Sequence, residues 1–441
     1  MRTFTILVCS TLSALVLTAI SCAESLSLKE GNGIGAIFMK KQELQKNVGG
    51  MWVPHEPDVL LNNLKKYDII WGARAISTYA GEANWQLFAN KFPNKLTLYY
   101  TCGQTARLGH NRKKSGHVDY DYIDEYHPEW FLLSDLKNPS KSDARILDNR
   151  IRWVAAEKGG EYYNRFYLDI GNKEFQKWAA QQFLESVSGK VDNLNVPFDG
   201  LGMDNANLGI QCYSIITSKH PNWKYSGKFE AWNKDFCDYL KVVKDTLNAH
   251  GFILVVNNDL DRKYGINQQT WDRLYESVDG LITEQELRHG WGDTPYFADD
   301  QWLNAIKRHE ETLKRGLFEW WMGSPPNQEG FLYTYCSWLL IKVPGKSFYS
   351  STFGKDYHCH WYEEYELAIG KPISARYLQD KCWIRDYENA KIIVNPTKKA
   401  QKVIIGGNKL WLDWTTKTPV GELELPAQSG RILLATPYKT N

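Results

Sequence analysis

The chain has 441 residues, with 53 Lys and Arg against 51 Asp and Glu, a net charge of +2. That balance supplies no basic field of the kind that holds a phosphate backbone, which excludes nucleic acid as the partner. Hydrophobic residues at 43% and charged residues at 24% place it among globular chains and outside the disordered and collagen-like classes.

Aromatic residues are abundant at 14%, including 18 Trp and 25 Tyr. Such rings fill cores and stack on ligand faces while offering a polar tip, and sugars are the ligand class they first suggest.

Met1-Arg2-Thr3, the apolar run Phe4 to Ile20 and the small residues Ser21-Cys22-Ala23 read as a secretory signal peptide over 1–23. The run is interrupted by Cys9, Ser10, Thr11, Ser13 and Thr18, too polar for a retained membrane helix of about 20 apolar residues. A secreted or periplasmic bacterial protein without a membrane span is expected. Lipid anchoring through Cys22 is the alternative, although Ala19-Ile20-Ser21 lacks the leucine usual three residues upstream of such a cysteine. No Asn-x-Ser/Thr sequon occurs, because Asn138 and Asn395 precede proline.

Eight short apolar runs read as buried parallel strands. They are Ile34 to Met39, Tyr67 to Ala73, Leu96 to Thr101, Phe198 to Asp204, Phe252 to Asn257, Val278 to Glu284, Leu317 to Met322 and Ser347 to Thr352. Helical segments lie between them. Lys173 to Val187 places Phe175, Trp178, Ala179, Phe183, Leu184 and Val187 at three- and four-residue steps, with Asn172 as N-cap and Glu174 in the first turn. The pattern predicts an α/β fold, a (β/α)8 TIM barrel over 24–372 with an excursion at about 103–197. An open doubly wound sheet is the competing arrangement.

From Ile373 the texture changes to short alternating runs at Cys382 to Tyr387, Lys391 to Asn395, Lys402 to Ile405, Leu410 to Trp414 and Arg431 to Leu434. Turns at Asn395-Pro396, Gly406-Gly407 and Ser429-Gly430 punctuate them. A small antiparallel β-sandwich is expected over 373–441.

Six cysteines follow the signal segment: Cys102, Cys212, Cys237, Cys336, Cys359 and Cys382. Their scatter permits one to three disulfides with connectivity open and contains no C-x-x-C pair. His358-Cys359-His360 lacks a third ligand nearby, so no metal or other cofactor is expected.

Two strands carry the chemistry. Phe198-Asp199-Gly200-Leu201-Gly202-Met203-Asp204 and Val278-Asp279-Gly280-Leu281-Ile282-Thr283-Glu284 repeat one pattern, Asp-Gly-Leu followed after two residues by an acid. Alternation puts Gly200, Gly202 and Asp204 on one face and Gly280, Ile282 and Glu284 on the corresponding one. If that face points inward, both carboxylates reach the C-terminal mouth, where barrel active sites lie. Paired carboxylates suit glycosidic cleavage, one protonating the leaving oxygen and the other supporting the anomeric centre or activating water. Asp204, beside Asn205 and Asn207, has the polar neighbourhood of a nucleophile. Glu284, with its longer arm and aromatic Trp291 nearby, suits the general acid. Asp199 and Asp279 are read as structural groups of the lower barrel.

Tyr167-Leu168-Asp169-Ile170-Gly171-Asn172, the helix carrying Trp178, and Phe198-Asp199-Gly200-Leu201 through Asp204-Asn205 resemble the core of largely uncharacterised TIM-barrel glycoside hydrolase families, which are similar in turn to α-galactosidase and dextranase barrels. Trp383 to Tyr387, Val394-Asn395-Pro396 and Leu425-Pro426 to Leu433 resemble the β-domain that closes such proteins. The resemblance implies the same roles, Asp204 as nucleophile and Glu284 as acid/base. Lys173 departs from it, standing where such families often carry proline.

Residues at the other strand ends are expected to bind substrate: Trp71, Arg74, Tyr100, Asn205, Asn257, Trp320 and Trp321. Asp169, Asp135 and Glu363-Glu364 are further acids, and Glu319 is the rival to Glu284 as general acid. The reading is a retaining glycoside hydrolase acting on an oligo- or polysaccharide. The alternatives are a carbohydrate-binding protein on a degenerate barrel and a metal-dependent deacetylase, for which no His/Asp ligand cluster is present in the sequence.

Overall fold

The computed structural model describes residues 32–435 apart from 38–44, 49–50, 55, 74–80, 109–117, 135–149, 155–160, 192–193, 195, 207, 209–212, 259–265, 285–286, 290–293, 352–359 and 407–409. The signal segment with Cys22, and Arg74, Asp135, Asn207, Cys212, Trp291, His358 and Cys359, lie outside the described residues.

Eight parallel strands form one sheet in sequence order: β1 (Gly35–Ile37), β2 (Ile69–Trp71), β3 (Leu96–Cys102), β4 (Gly200–Asp204), β5 (Ile253–Asn257), β6 (Gly280–Glu284), β7 (Phe318–Gly323) and β8 (Ser347–Ser351). A parallel bridge between Ile34 and Tyr349 joins the last strand to the first, so the sheet curls into a barrel. Six fall within the apolar runs read from the sequence, and β3 and β7 run one residue past theirs, to Cys102 and Gly323, as expected of strands covered on both sides.

Helices α1 (Pro57–Leu64), α2 (Glu82–Lys91), α3 (Lys173–Val187), α4 (Phe229–Asn248), α5 (Gln268–Glu276), α6 (Asp299–Lys314) and α7 (Gln328–Leu339) alternate with the strands. Between β8 and the C-terminal strands the helical structure among the described residues is the 3-10 turn Glu363–Glu366, short of an eighth helix. The bounds of α3 are those its periodicity predicts, and Asn172 caps it by accepting from the amides of Glu174 and Phe175 at 3.0 and 3.1 Å. The segment between β3 and β4 carries a three-stranded sheet of Thr105–Arg107, Arg152–Val154 and Glu161–Tyr167, with Glu161–Tyr167 in the middle.

Three aspartates latch the barrel floor. Each precedes an even-numbered strand and accepts from a backbone amide at the start of the strand before it. Asp68 takes Gly33 N at 2.6 Å, Asp199 takes Thr97 N at 2.7 Å, and Asp279 takes Leu254 N at 2.8 Å. Half of the Asp-Gly-Leu repeat is therefore architectural, as read for Asp199 and Asp279. The glycines belong to it as well. A Cβ on Gly200 would lie 2.4 Å from Ile253 O, and one on Gly280 2.6 Å from Phe318 Cβ.

The barrel interior is filled by large rings set against missing side chains. Ile69, Trp71, Leu96, Leu98, Ile253, Val255, Ile282, Phe318, Trp320, Met322 and Phe348 form its core. Trp71 occupies the space left by Gly202, where a Cβ would stand 2.2 Å from Trp71 Nε1, and Trp320 the space left by Gly35, at 2.5 Å from its ring. Trp71 Nε1 donates to Gly202 O at 3.0 Å, so the ring cannot retreat without breaking a buried hydrogen bond. Gly202→Ala is expected to overpack this site and destabilise the fold by about 1–3 kcal/mol, read as a thermal midpoint several degrees lower. An unchanged midpoint would contradict the packing.

The C-terminal part is antiparallel, as expected. Its strands are β9 (Tyr377–Gln379), β10 (Cys382–Asp386), β11 (Ala390–Asn395), β12 (Gln401–Ile404), β13 (Trp411–Asp413), β14 (Thr418–Val420), β15 (Glu422–Leu425) and β16 (Ser429–Ala435). They form a six-stranded sheet ordered β9-β10-β11-β16-β13-β14 and a β12-β15 ribbon. Cys382, Ile384, Ile393, Val403, Trp411, Leu423, Leu425 and Leu433 form the core shared by sheet and ribbon, while Ile392, Val394 and Ile432 join the barrel's own core. Arg376 binds Glu310 of α6 through two contacts at 2.6 and 2.8 Å, and Arg385 donates to the carbonyls of Leu339, Leu340 and Lys342 at the end of α7. Among the described residues no helix is long and apolar enough to cross a membrane.

Candidate active site

The strand register fixes which side chains share the barrel mouth. Cys102 pairs with Asp204, and Asn257, Ile282, Trp320 and Phe348 pair in succession; extending the β4–β5 register one residue past Met203 and Val256 sets Asp204 beside Asn257 and joins the two into one row. Followed through the Ile34–Tyr349 bridge and along the extended registers of β1 and β2, the row returns at Asn94, two residues before β3 begins and eight below Cys102. That is the stagger of an eight-stranded barrel of this class, in which side chains from alternate strands share a layer. Constant height thus requires one more residue per strand, and two strands beyond Asp204 the matching position is Glu284. The acids ending β4 and β6 occupy one inward-facing layer, about 9–10 Å apart at the backbone and directed toward a common axis. Both are half-buried.

Asp204 is held by four donors. Oδ2 accepts from the Tyr100 hydroxyl at 2.6 Å and Asn205 Nδ2 at 3.0 Å; Oδ1 accepts from the Asn205 amide at 2.8 Å and Asn257 Nδ2 at 2.9 Å. Asn205 adopts a left-handed conformation, φ 52°, which asparagine tolerates better than most residues. This bend lets one residue supply both a backbone and a side-chain donor.

Below Asp204, Tyr100 packs on Trp71, ring centroids 5.2 Å apart. Burial first, and then the Asp204 charge, push the Tyr100 hydroxyl well above the ordinary tyrosine range, so it remains a donor wherever Asp204 is ionised. Tyr100→Phe should reduce kcat by about 10–100-fold, the scale of a hydrogen bond to a charged group, with KM within about twofold. A comparable rise in KM would instead assign the hydroxyl to substrate binding.

Cys102 is missed by the sequence reading as a site residue, yet it stands at the centre of this network. Its Sγ lies 3.6 Å from the Tyr100 hydroxyl, 3.7 Å from Asn205 Nδ2, 3.8 Å from Arg165 Nη2 and 3.9 Å from Asp204 Oδ2. Burial and the Asp204 charge push its thiol up to about 11, which makes it a protonated structural group rather than a nucleophile. In the folded protein at pH 8 it should resist iodoacetamide for hours, a result checked by mass spectrometry before and after unfolding. Arg165 arrives from the excursion, as does Gln104, whose Nε2 donates to Asn205 O.

Several expectations are corrected. Trp71 and Trp320 point inward but lie fully buried below the mouth, Trp320 Nε1 donating to Ser350 Oγ at 3.1 Å. They form the floor of the site and offer no face to a sugar. Trp321 is one residue out of phase and packs outside the barrel wall against His309, with ring centroids 4.5 Å apart. Glu319 shares that outer face, its Oε1 2.5 Å from His309 Nδ1, which removes it from the mouth and from competition with Glu284. Asn257, 5% exposed, orients Asp204. Asp169 is tied to Lys224 at 2.8 and 2.9 Å, and Glu364 accepts from Gln328 Nε2 at 2.7 Å. The four cysteines among the described residues, Cys102, Cys237, Cys336 and Cys382, are free and buried. No group of His, Cys, Asp and Glu suited to a metal occurs among the described residues.

A family profile described as Hypothetical glycosyl hydrolase family 15 (GHL15) matches residues 93–391. No curated protein matches the chain. Among solved structures it is similar to a Nostoc punctiforme debranching enzyme, with a TM-score of 0.45 and 11% identity over 92% of this chain and 96% of that one. It is also similar to a Flavobacterium johnsoniae GH31 dextranase complexed with glucose, at 0.44 and 10% over 91% and 51%. A variant GH36 α-galactosidase from Geobacillus stearothermophilus matches at 0.32 and 11% over 96% and 53%. The chain spans about half the length of the latter two.

Proposed function

The chain belongs to Hypothetical glycosyl hydrolase family 15, and from that premise we propose that it cleaves the glycosidic bond of an oligo- or polysaccharide with retention of configuration. Asp204 is the nucleophile and Glu284 the acid/base. The observation that carries this reading is the shared inward layer of Asp204 and Glu284 at the C-terminal mouth, with Asp204 clasped by Tyr100, Asn205 and Asn257.

In the first step Glu284 protonates the leaving oxygen while Asp204 attacks the anomeric carbon, forming a glycosyl-enzyme ester. In the second, Glu284 takes a proton from water as it attacks that carbon, and Asp204 leaves as carboxylate. Attack through Oδ2 requires one of its two donors to give way. Both Tyr100 OH and Asn205 Nδ2 have Cys102 Sγ within 3.7 Å as a second acceptor, so neither is stranded when Asp204 bonds to the sugar. The N-terminal signal pattern supports export, which brings the protein to glycans outside the cytoplasm; detection in the culture medium or periplasm tests this.

The deciding experiment is a glycan panel assayed with wild type and Asp204→Asn, following the anomeric configuration of the first-formed product by NMR. Retained configuration with wild type and loss of cleavage with the variant are expected. First-formed inverted product would assign Asp204 to water activation instead. Glycan binding without cleavage by either protein would favour the carbohydrate-binding alternative.

A further inference from the structure

The excursion between β3 and β4 builds one wall of the mouth, and its central strand pairs two arginines. Arg107 and Arg165 are direct cross-strand partners on the antiparallel strands Thr105–Arg107 and Glu161–Tyr167. Partners in such a pair share a face, with Cβ atoms about 4.5–5.5 Å apart, and like charges so placed repel. That face is the one turned to the site, because Arg165 Nη2 lies 3.8 Å from Cys102 Sγ, itself 3.9 Å from Asp204 Oδ2. Arg165 can thus be balanced in part by the Asp204 charge. Arg107 stands on the neighbouring strand, and its Nε is shielded from solvent without a hydrogen-bond partner among the described residues. A side chain with this planar fork matches carboxylate and sulfate oxygens two at a time.

We propose that Arg107 and Arg165 form an anion subsite beside Asp204, and that the substrate is a glycan whose sugar carries a carboxylate or sulfate group. The inference rests on the glycoside hydrolase reading for the word substrate, but the subsite itself is a binding property and is tested as one. An anion there relieves the Arg–Arg repulsion and orients the sugar through a group other than its hydroxyls. Arg165, near the acid, contributes to cleavage and recognition together. Arg107 is the specificity-determining residue.

The test measures binding calorimetrically in Asp204→Asn, which removes turnover, with and without Arg107→Gln, after melting curves show both proteins folded. Probes are length-matched neutral, uronate-containing and sulfated oligosaccharides. Either anionic class is expected to bind at least tenfold tighter than the neutral one, with that margin shrinking several-fold in 0.5 M NaCl. Arg107→Gln should bring it within about twofold of neutral, and Arg107→Lys should restore part of it. Preference for the uronate or the sulfated probe identifies the group. Equal or tighter binding of neutral glycans, or a preference untouched by Arg107→Gln, overturns the proposal. Anionic preference with no cleavage by wild type leaves the subsite standing and removes the hydrolase reading.

Discussion

Asp204→Asn is expected to lower turnover by on the order of 10^4-fold or more, the scale on which loss of a covalent nucleophile acts, while the protein stays folded and binds glycan. The reason lies in the donors around the acid. An amide has one acceptor oxygen and an NH2 group, so half of the four bonds to Asp204 must reverse or break. Oδ1 faces a backbone amide and the Asn257 amide nitrogen, neither of which can accept, and the asparagine oxygen should take that side. Its NH2 then faces Tyr100, whose hydroxyl can rotate to accept, and Asn205 Nδ2, which has Cys102 Sγ as an alternative acceptor. The stability cost should therefore stay near 1 kcal/mol, while the nucleophilic oxygen is gone. Initial rates, calorimetry and a melting curve check the three parts separately. More than a tenth of wild-type activity would remove Asp204 from the covalent role.

The barrel was legible because its strands are buried on both sides and read as continuous apolar runs bounded by turns. The position of Asp204 and Glu284 at matching strand ends was legible because β4 and β6 are built alike. Each starts with an aspartate that latches the preceding strand, follows with a glycine that lets the neighbouring strand close in, and ends at the mouth. The repeat at the bottom fixes phase, and phase sets which residues at the top face inward. The aromatic residues were not legible in the same way. Trp71, Trp320 and Trp321 sit near strand ends in sequence, but exposure depends on height within a staggered barrel and on parity. Trp71 and Trp320 have inward parity at floor level, filling the gaps beside Gly202 and Gly35, while Trp321 has outward parity. Cys102, Gln104 and Arg165 escaped notice for another reason. Cys102 resembles any apolar strand residue, and Arg165 reaches the site only because Glu161–Tyr167 folds back onto Thr105–Arg107, a nonlocal pairing that no periodicity announces.

Glu284→Gln should show a loss that depends on the leaving group. A general acid contributes typically 10^2–10^4-fold by protonating the departing oxygen, which a poor alkoxide leaving group needs and an activated aryl group does not. Natural glycans should therefore lose kcat by about that factor. Dinitrophenyl glycosides of the same sugar should form the Asp204 ester nearly as fast as with wild type. Glutamine cannot deprotonate water for the second step, so the ester should accumulate, visible as a burst of phenolate and as a mass increase on Asp204. Azide needs no general base, and its addition should restore steady turnover with the glycosyl azide as product. Glu319→Gln is the control. Glu319 is bound to His309 outside the barrel wall, so its loss should lower the melting midpoint without any leaving-group dependence. A uniform rate loss in Glu284→Gln, with no burst and no response to azide, would detach Glu284 from proton transfer, whereas the leaving-group signature in Glu319→Gln would mean that β7 runs in the opposite phase and the mouth has been assigned to the wrong face.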